Sequence, residues 1–461
     1  MSVRALMIGA GLLALAAPVA PIAAQDIAIT NATLATGDGS EPVQGATVVV
    51  RGGRIVAAGA GVAVPAGVQT VDGTGQWVTP GLFAAMTALG LSDAGGISES
   101  DDASSRGSPF GAALDVAPAL NPASQHVAVA RANGVTRASV FSQPTSSIFG
   151  GQGAVVDLGA DPRMVIRPRA FQHVVLGESA ARIAGGSRVS AHAVLRNALR
   201  EARQFGSDPR ITATRRSADI ETGDDLPIDP RLVDSPAVRE DVLLTRFDAA
   251  ALVPVVNGTQ PLYVGVERAA DIRSVLALKG EFPRLRLVIV GASEGWLVAR
   301  ELAAAGVPVI ANAMNDLPSS FEQLGATQSN VGRMVRAGVK VAIGGLAGST
   351  GDQPANLAQY AGNMVALTKV PGATGLSWGE AFAAISAVPA EIAGLGGRAG
   401  VLRPGAAGDL VLWDGDPLEV TTAATRVFID GVEQPRDDHQ RGLANRYRDL
   451  DEADLPKAYD R

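Results

Sequence analysis

"PLYVGVERAADIRSVLALKGEFPRLRLVIVGASEGWLVARELAAAGVPVIANAM", residues 261–314, alternates short runs of Val, Ile and Leu with longer segments of helical composition. The runs are too continuously apolar to keep a solvent face, as in parallel strands covered on both sides. PLYVGVE, RLRLVIVGAS and VPVIANAM read as strands, separated by helices over RAADIRSVLALKGEF and EGWLVARELAAAG. QSNVGRMVRAG and VKVAIGGLAG continue the succession, and LSWGEAFAAISAVPAEIAGLGG adds a helix opened by a Ser377–Glu380 capping box. Repeated βα units in a chain of 461 residues favour an α/β fold of the (β/α)8-barrel type over an open sheet.

Outward from this core the texture changes. DIAITNATLATGDG, GATVVVRGGRIVAAGAG and VQTVDGTGQWVTPGL near one end are short β-rich runs, with Arg51-Gly52-Gly53-Arg54 placed as a hairpin turn. RAGVLRPGAAGDLVLWDGDPLEV and TRVFIDGVE near the other end match them. The expected organisation is a composite β-sandwich from residues 26–77 and 400–435, a barrel over 78–399, and a charged tail over 436–461. Leu443, Tyr447 and Leu450 recur in that tail at helical spacing. Residues 92–108 read as a polar loop, and 178–245 as a helix around AHAVLRNALREARQFG followed by a loop through SADIETGDDLPIDP, with no recognisable fourth barrel strand. Phe149 to Gly159, FGGQGAVVDLG, lacks the lysine and spacing of a phosphate loop and reads as a turn into a strand.

Composition narrows the function. With 47% apolar and 18% charged residues the chain is globular, and a net charge of -7 without a basic concentration argues against nucleic acid as a partner. The absence of cysteine excludes disulfides, thiolate nucleophiles and thiolate-held metals. Arg4, the apolar run from Ala5 to Ala17 and the small residues of PIAA make residues 1–24 a signal peptide, so a periplasmic or secreted bacterial protein is expected, with no membrane span once mature.

VTPGLFAAMTALGL, residues 78–91, resembles the PGLIDAHTHLGL entry into the first barrel strand of the amidohydrolase superfamily, in its imidazolonepropionase-like and prolidase-like branch. AGVLRPGAAGDLVLWDGDPLEV is similar to the return of that family into its β-sandwich, GSLEPGKDADLVLWDGDPL, and GVKVAIGGLA to its GVKVALGTDA strand eight. The resemblance implies a metal-bearing barrel, with a His-x-His after strand one and histidines on strands five and six. It also implies an aspartate on strand eight and, in many members, a carboxylated lysine on strand four. Carried over by position, these ligands fall on Met86, Ala88, Gly265, Gly291 and Leu346. The four histidines are His126, His173, His192 and His439, none on strands five to eight, and the first lysine is Lys279.

The expectation is therefore a homologue without the metal, with no cofactor and no assigned catalytic residue. It would serve as a binder of a small amide- or peptide-like molecule, or as a subunit assembling with itself or an active relative. The candidate pocket is Met86, Ala88, Gly265, Glu267, Gly291, Glu294, Asn312 and Leu346, with Asn315 and Asp316 beside it. Glu267 and Glu294 fit three roles at this stage: helix-start carboxylates, a polar binding pair, or an acid–base couple. A hydrolase of C–N bonds using a metal-free or carboxylate-only site stays open as the second reading.

Overall fold

The computed structural model describes residues 24–93, 97–207, 243–344, 354–436 and 439–447. Residues 1–23 of the expected signal peptide 1–24, Leu346, Leu450 and the SADIETGDDLPIDP segment lie outside them. No helix among the described residues is long and apolar enough to cross a membrane.

Both chain ends meet in one sheet. The N-terminal part supplies β1 (Ile27–Leu34), β2 (Val43–Arg51), β3 (Arg54–Ala60), β4 (Gln69–Asp72) and β5 (Trp77–Pro80). The two-residue Gly52-Gly53 turn joining β2 to β3 has both residues at positive φ, 54° and 76°, which glycine adopts without cost. A second sheet forms the barrel: β6 (Leu82–Thr87), β7 (Val135–Val140), β8 (Phe149–Asp157), β9 (Val165–Val175), β10 (Leu262–Val266), β11 (Leu287–Gly291), β12 (Val309–Ala311) and β13 (Val341–Ile343). The chain then returns to the first sheet through β14 (Leu410–Trp413), β15 (Ala424–Ile429) and β16 (Val432–Glu433). β5 and β14 pair antiparallel, so strands from the two ends of the chain are hydrogen-bonded neighbours. The sheet curls enough for Ile55 N–H at its β3 edge to donate to Ala406 O, enclosing Ile29, Val48, Val78, Leu412 and Phe428.

The barrel strands follow chain order, and a parallel bridge between Ala85 and Gly344 joins the last to the first. Inside, Phe171 stacks on Tyr263 at 4.2 Å, and Phe83, Val288, Ile310 and Ala342 fill the space around them. The helix Ala387–Ile392 closes the N-terminal pole, with Ala390 packed into the interior cluster.

Two expectations are corrected here. β8 runs antiparallel to both neighbours, because residues 141–148 and 158–164 are too few for the crossover that parallel strands need. The Phe149–Gly159 stretch is accordingly strand from its first residue; its Gly153 lies under the Phe171 ring, where a Cβ has no room. Strand four is β9, which precedes the 178–245 region in which it was sought. Val165 to Arg169 at its start are mostly exposed, so the segment lacks the apolar run of a covered strand. The helix expected around AHAVLRNALREARQFG spans Arg188–Ser207. In the tail, a helix covers His439–Arg446.

The two sheets are tied by one buried cation. Arg137, on β7, places Nε 2.7 Å and Nη2 3.0 Å from the carboxylate oxygens of Asp409, and Nη2 2.8 Å from Asp430 Oδ1. Asp157, at the end of β8, lies 3.9 Å from Nη1. Burial alone would lower the Arg137 pKa, but the adjoining Asp409 carboxylate more than reverses it. Removing one member of such a buried pair strands the other charge, so Arg137→Ala should lower unfolding stability by about 3–5 kcal/mol in urea titrations. Burial also pushes Asp157 up to about 6 against the pull of Arg137, so its favourable contribution holds below the ordinary 3.8 and is lost as pH rises through 6. Asp157→Asn should flatten stability across that interval.

Candidate functional site at the barrel mouth

Barrel chemistry sits at the C-terminal ends of the parallel strands, so the mouth is built by the residues ending β6, β7, β9, β10, β11, β12 and β13. At the end of β6 the pairing with β7 slips between Ala84 and Thr87, and Met86 takes a left-handed conformation with φ 57°. That conformation is strained for a side-chain-bearing residue and turns the chain at the position where the resemblance expects a ligand. Its side chain is 1% exposed and packs with Phe83, Phe141, Phe171 and Ile310, so it fills the barrel instead of lining an open cleft. Ala88 lies just beyond, half-buried.

Gly265 is the penultimate residue of the fifth strand and Gly291 the last of the sixth. The sequence suggests that losing side chains there widens the mouth. At Gly291 (φ 95°) the reverse holds, because a Cβ would overlap the carboxylate of Glu267, which occupies the space. Glu267 Oε2 accepts the Ser293 amide at 2.8 Å and the Ser293 hydroxyl at 2.6 Å. Asn315 Nδ2 in turn donates to Ser293 Oγ at 2.9 Å, linking the ends of strands five, six and seven. Glu267 Oε1 has no hydrogen-bond partner among the described residues. Burial pushes the Glu267 carboxyl up to about 7; the Ser293 hydrogen bonds oppose this, and the nearby Glu322 charge adds to it.

Glu294 behaves differently. Its Oε2 accepts the Ala269 amide at the start of the helix Ala269–Glu281, at 2.9 Å, and its Oε1 the Gly325 amide at 3.0 Å. Of its three sequence-level roles the structure places it as the helix-start carboxylate. Asn312 Oδ1 is turned onto the Met314 amide at 2.8 Å, and Asp316 Oδ1 faces the Gln328 amide at 3.4 Å. Glu267, Gly291 and Asn315 therefore come together, Met86 sits in the core, and Glu294 and Asn312 serve local backbone.

Two participants were not singled out by sequence. Ser293 has no motif around it; only its place two residues past a glycine-ended strand marks it. His173, one of the dispersed histidines, lies on the fourth strand with Nδ1 3.3 Å from Ser142 O and its ring edge-on to Phe141 at 4.8 Å. Burial pushes its pKa down to about 4, so it stays neutral near neutrality. Among the described residues no group of three or more His, Asp or Glu side chains is placed to hold a metal ion.

These features define an α/β-barrel protein with a composite β-domain. The profile of a family described as "Amidohydrolase family" matches residues 260–433. The amidohydrolase from Thermotoga maritima MSB8 has a similar fold, with TM-score 0.73, 22% identity and coverage of 89% of this chain and 100% of its own. Molinate hydrolase is similar more distantly, with TM-score 0.50, 16% identity and coverage of 95% and 99%. Sequence likeness to amidohydrolase tasK of Hapsidospora irregularis is 42% identity over 60 residues, 13% of this chain and 6% of that protein.

A raised carboxyl pKa has a pH signature. Glu267 titrates near 7 when folded against an ordinary 4.5, so its favourable contribution holds below 4.5 and is lost as pH rises through 7. Glu267→Gln should remove that loss, measured as the difference between variant and parent urea midpoints across the interval.

Proposed function

We propose that this chain is an exported member of the amidohydrolase superfamily whose barrel mouth binds a small amide- or peptide-like molecule without a metal-activated water. The observation that carries the reading is Glu267. A carboxyl titrating near 7 exists at neutral pH in both forms, so Oε1, which has no partner among the described residues, can accept from an amide N–H or donate to an amide C=O. The Ser293 and Asn315 bonds hold it in one orientation.

A divalent ion does not suit the donors described. A thioether, a methyl group and two glycines stand at four of the inherited ligand positions, and both oxygens of Glu294 are already bonded to amides. At position 86 the apolar side chain avoids the stranded polar group that a ligand without its ion would leave there. Export rests on residues 1–24. Assembly with a second subunit, itself or an active relative, is supported by the rim segment carrying Leu317 and Phe321, 79% and 83% exposed.

The second reading, a metal-free hydrolase of C–N bonds, is favoured by the same Glu267, whose pKa suits a general base near neutrality. Metal content, turnover and binding measured on one preparation separate the two. The expected result is no stoichiometric Zn, Fe or Mn and no hydrolysis of N-acyl amino acids or dipeptides. Saturable binding of an N-acetyl dipeptide amide should weaken about tenfold or more in Glu267→Ala. Turnover that survives chelation and disappears in Glu267→Gln would establish the second reading. Turnover that requires metal would overturn both.

A further inference from the structure

The opposite pole of the barrel carries a cavity of about 470 Å³, within the range of small-molecule sites. It opens where β10 to β13 begin, between Pro261, Leu287, Pro308 and Lys340, with Ile392 of the closing helix on its wall. Its walls are mixed: Leu287, Val288, Val307 and Val339 stand behind them nearly fully covered, while Pro261, Ala303, Pro308 and Ile392 offer partly exposed apolar surface among the charged groups. Its charges are unbalanced. Lys279, Arg286 and Lys340 line it against one carboxylate, Glu391, which is paired with Lys340. Among the described residues Lys279 Nζ reaches only the Ala305 carbonyl, at 3.3 Å. The Arg286 side chain is exposed and has no hydrogen-bond or ion-pair partner among the described residues. Arg167 and Arg398 lie within electrostatic reach: burial lowers the Arg167 pKa, Tyr263 opposes this, and the charges of Arg398 and Arg286 add smaller downward shifts. A chain of net charge -7 thus gathers cations around one recess with apolar patches on its wall.

We propose that this cavity binds a small organic carboxylate with an apolar body. The carboxylate pairs with Arg286 and Lys279, and the body lies on Pro261, Pro308 and Ile392. A guanidinium offers two parallel N–H groups that match the two oxygens of a carboxylate, and the unpaired Arg286 has them to give. An inorganic anion would satisfy the cations but leave the apolar patches uncovered, whereas a neutral amide would leave Arg286 unanswered. The site lies away from the mouth and does not depend on the function proposed there.

Calorimetric titration of the full chain at low salt with phenylacetate, phenylacetamide and inorganic phosphate tests the assignment. Phenylacetate should bind saturably at one site and the other two markedly more weakly. Arg286→Ala, at an exposed position that leaves folding intact, should weaken phenylacetate about tenfold or more. Ala303→Phe, which fills the recess from its wall, should abolish binding, with circular dichroism reporting the fold. The proposal is overturned if phenylacetate gives no saturable heat, if phosphate or the amide binds as tightly, or if Arg286→Ala binds unchanged. Loss of binding in Glu267→Ala would move the ligand to the mouth and overturn it equally.

Discussion

The bidentate contact between Arg137 and Asp409 is the constraint on which the arrangement of the two sheets depends. A guanidinium cannot shed its proton, so burying it on β7 requires a fixed carboxylate within reach. Asp409 stands immediately before β14, the strand that pairs with β5, and its backbone carbonyl also accepts from Gly81 at the entry to the barrel. One residue therefore joins the first barrel strands, the return strand and the turn at Asp430, whose amide it also accepts. Within the β-domain sheet Trp413 is held by its indole N–H donating to Thr79 Oγ1 at 2.9 Å, and its ring edge lies against Gly134 just before β7. Shape complementarity alone would allow the two sheets to slide; a desolvated charge with two matched hydrogen bonds does not.

At the mouth, polar groups hold one another more than they face outward. Glu294 holds a helix start and the Gly325 loop, Asn312 turns back on its own loop, and Met86 has joined the aromatic core. On the proposed binding reading, what is left for a ligand is concentrated on Glu267 and its two supporting residues. The strained backbone at Met86 and the left-handed pair Gly291–Ala292, with φ 95° and 53°, keep the shape of the rim although the side chains there are apolar or absent. Strain of this kind persists because the packed barrel around it determines the path of the chain.

Legibility in the sequence followed burial. The strands covered on both faces, β10 to β13, stood out as apolar runs, and the helices between them as longer mixed segments. The Ser377–Glu380 capping box was readable because both residues act within one turn. β9 was missed because its first half faces solvent and carries Arg167, Pro168 and Arg169. The direction of β8 was missed because a strand's own composition carries no record of which way its neighbours run; only the lengths of its flanking connections did. In the site, Glu267 was visible as a carboxylate after a strand, while Ser293 and His173 act through contacts between residues distant in sequence. The choice among the roles of Glu294 needed coordinates, since a free rim carboxylate and one bonded to two amides are spelled alike.

The reversed strand also redistributes the traffic of loops. Because β8 descends while its neighbours climb, the connection over residues 141–148 emerges on the mouth side, and the one over 158–164 emerges beside the β-domain. The barrel thus presents a tight hairpin bend where a uniform barrel would offer a roomy strand-to-helix connection. The end of β8 is delivered to the seam instead, which is how Asp157 comes within range of Arg137. Peptide grafted into the first bend would be displayed over the mouth with little else to rearrange. The same graft in the second bend would press on the joint between the two sheets.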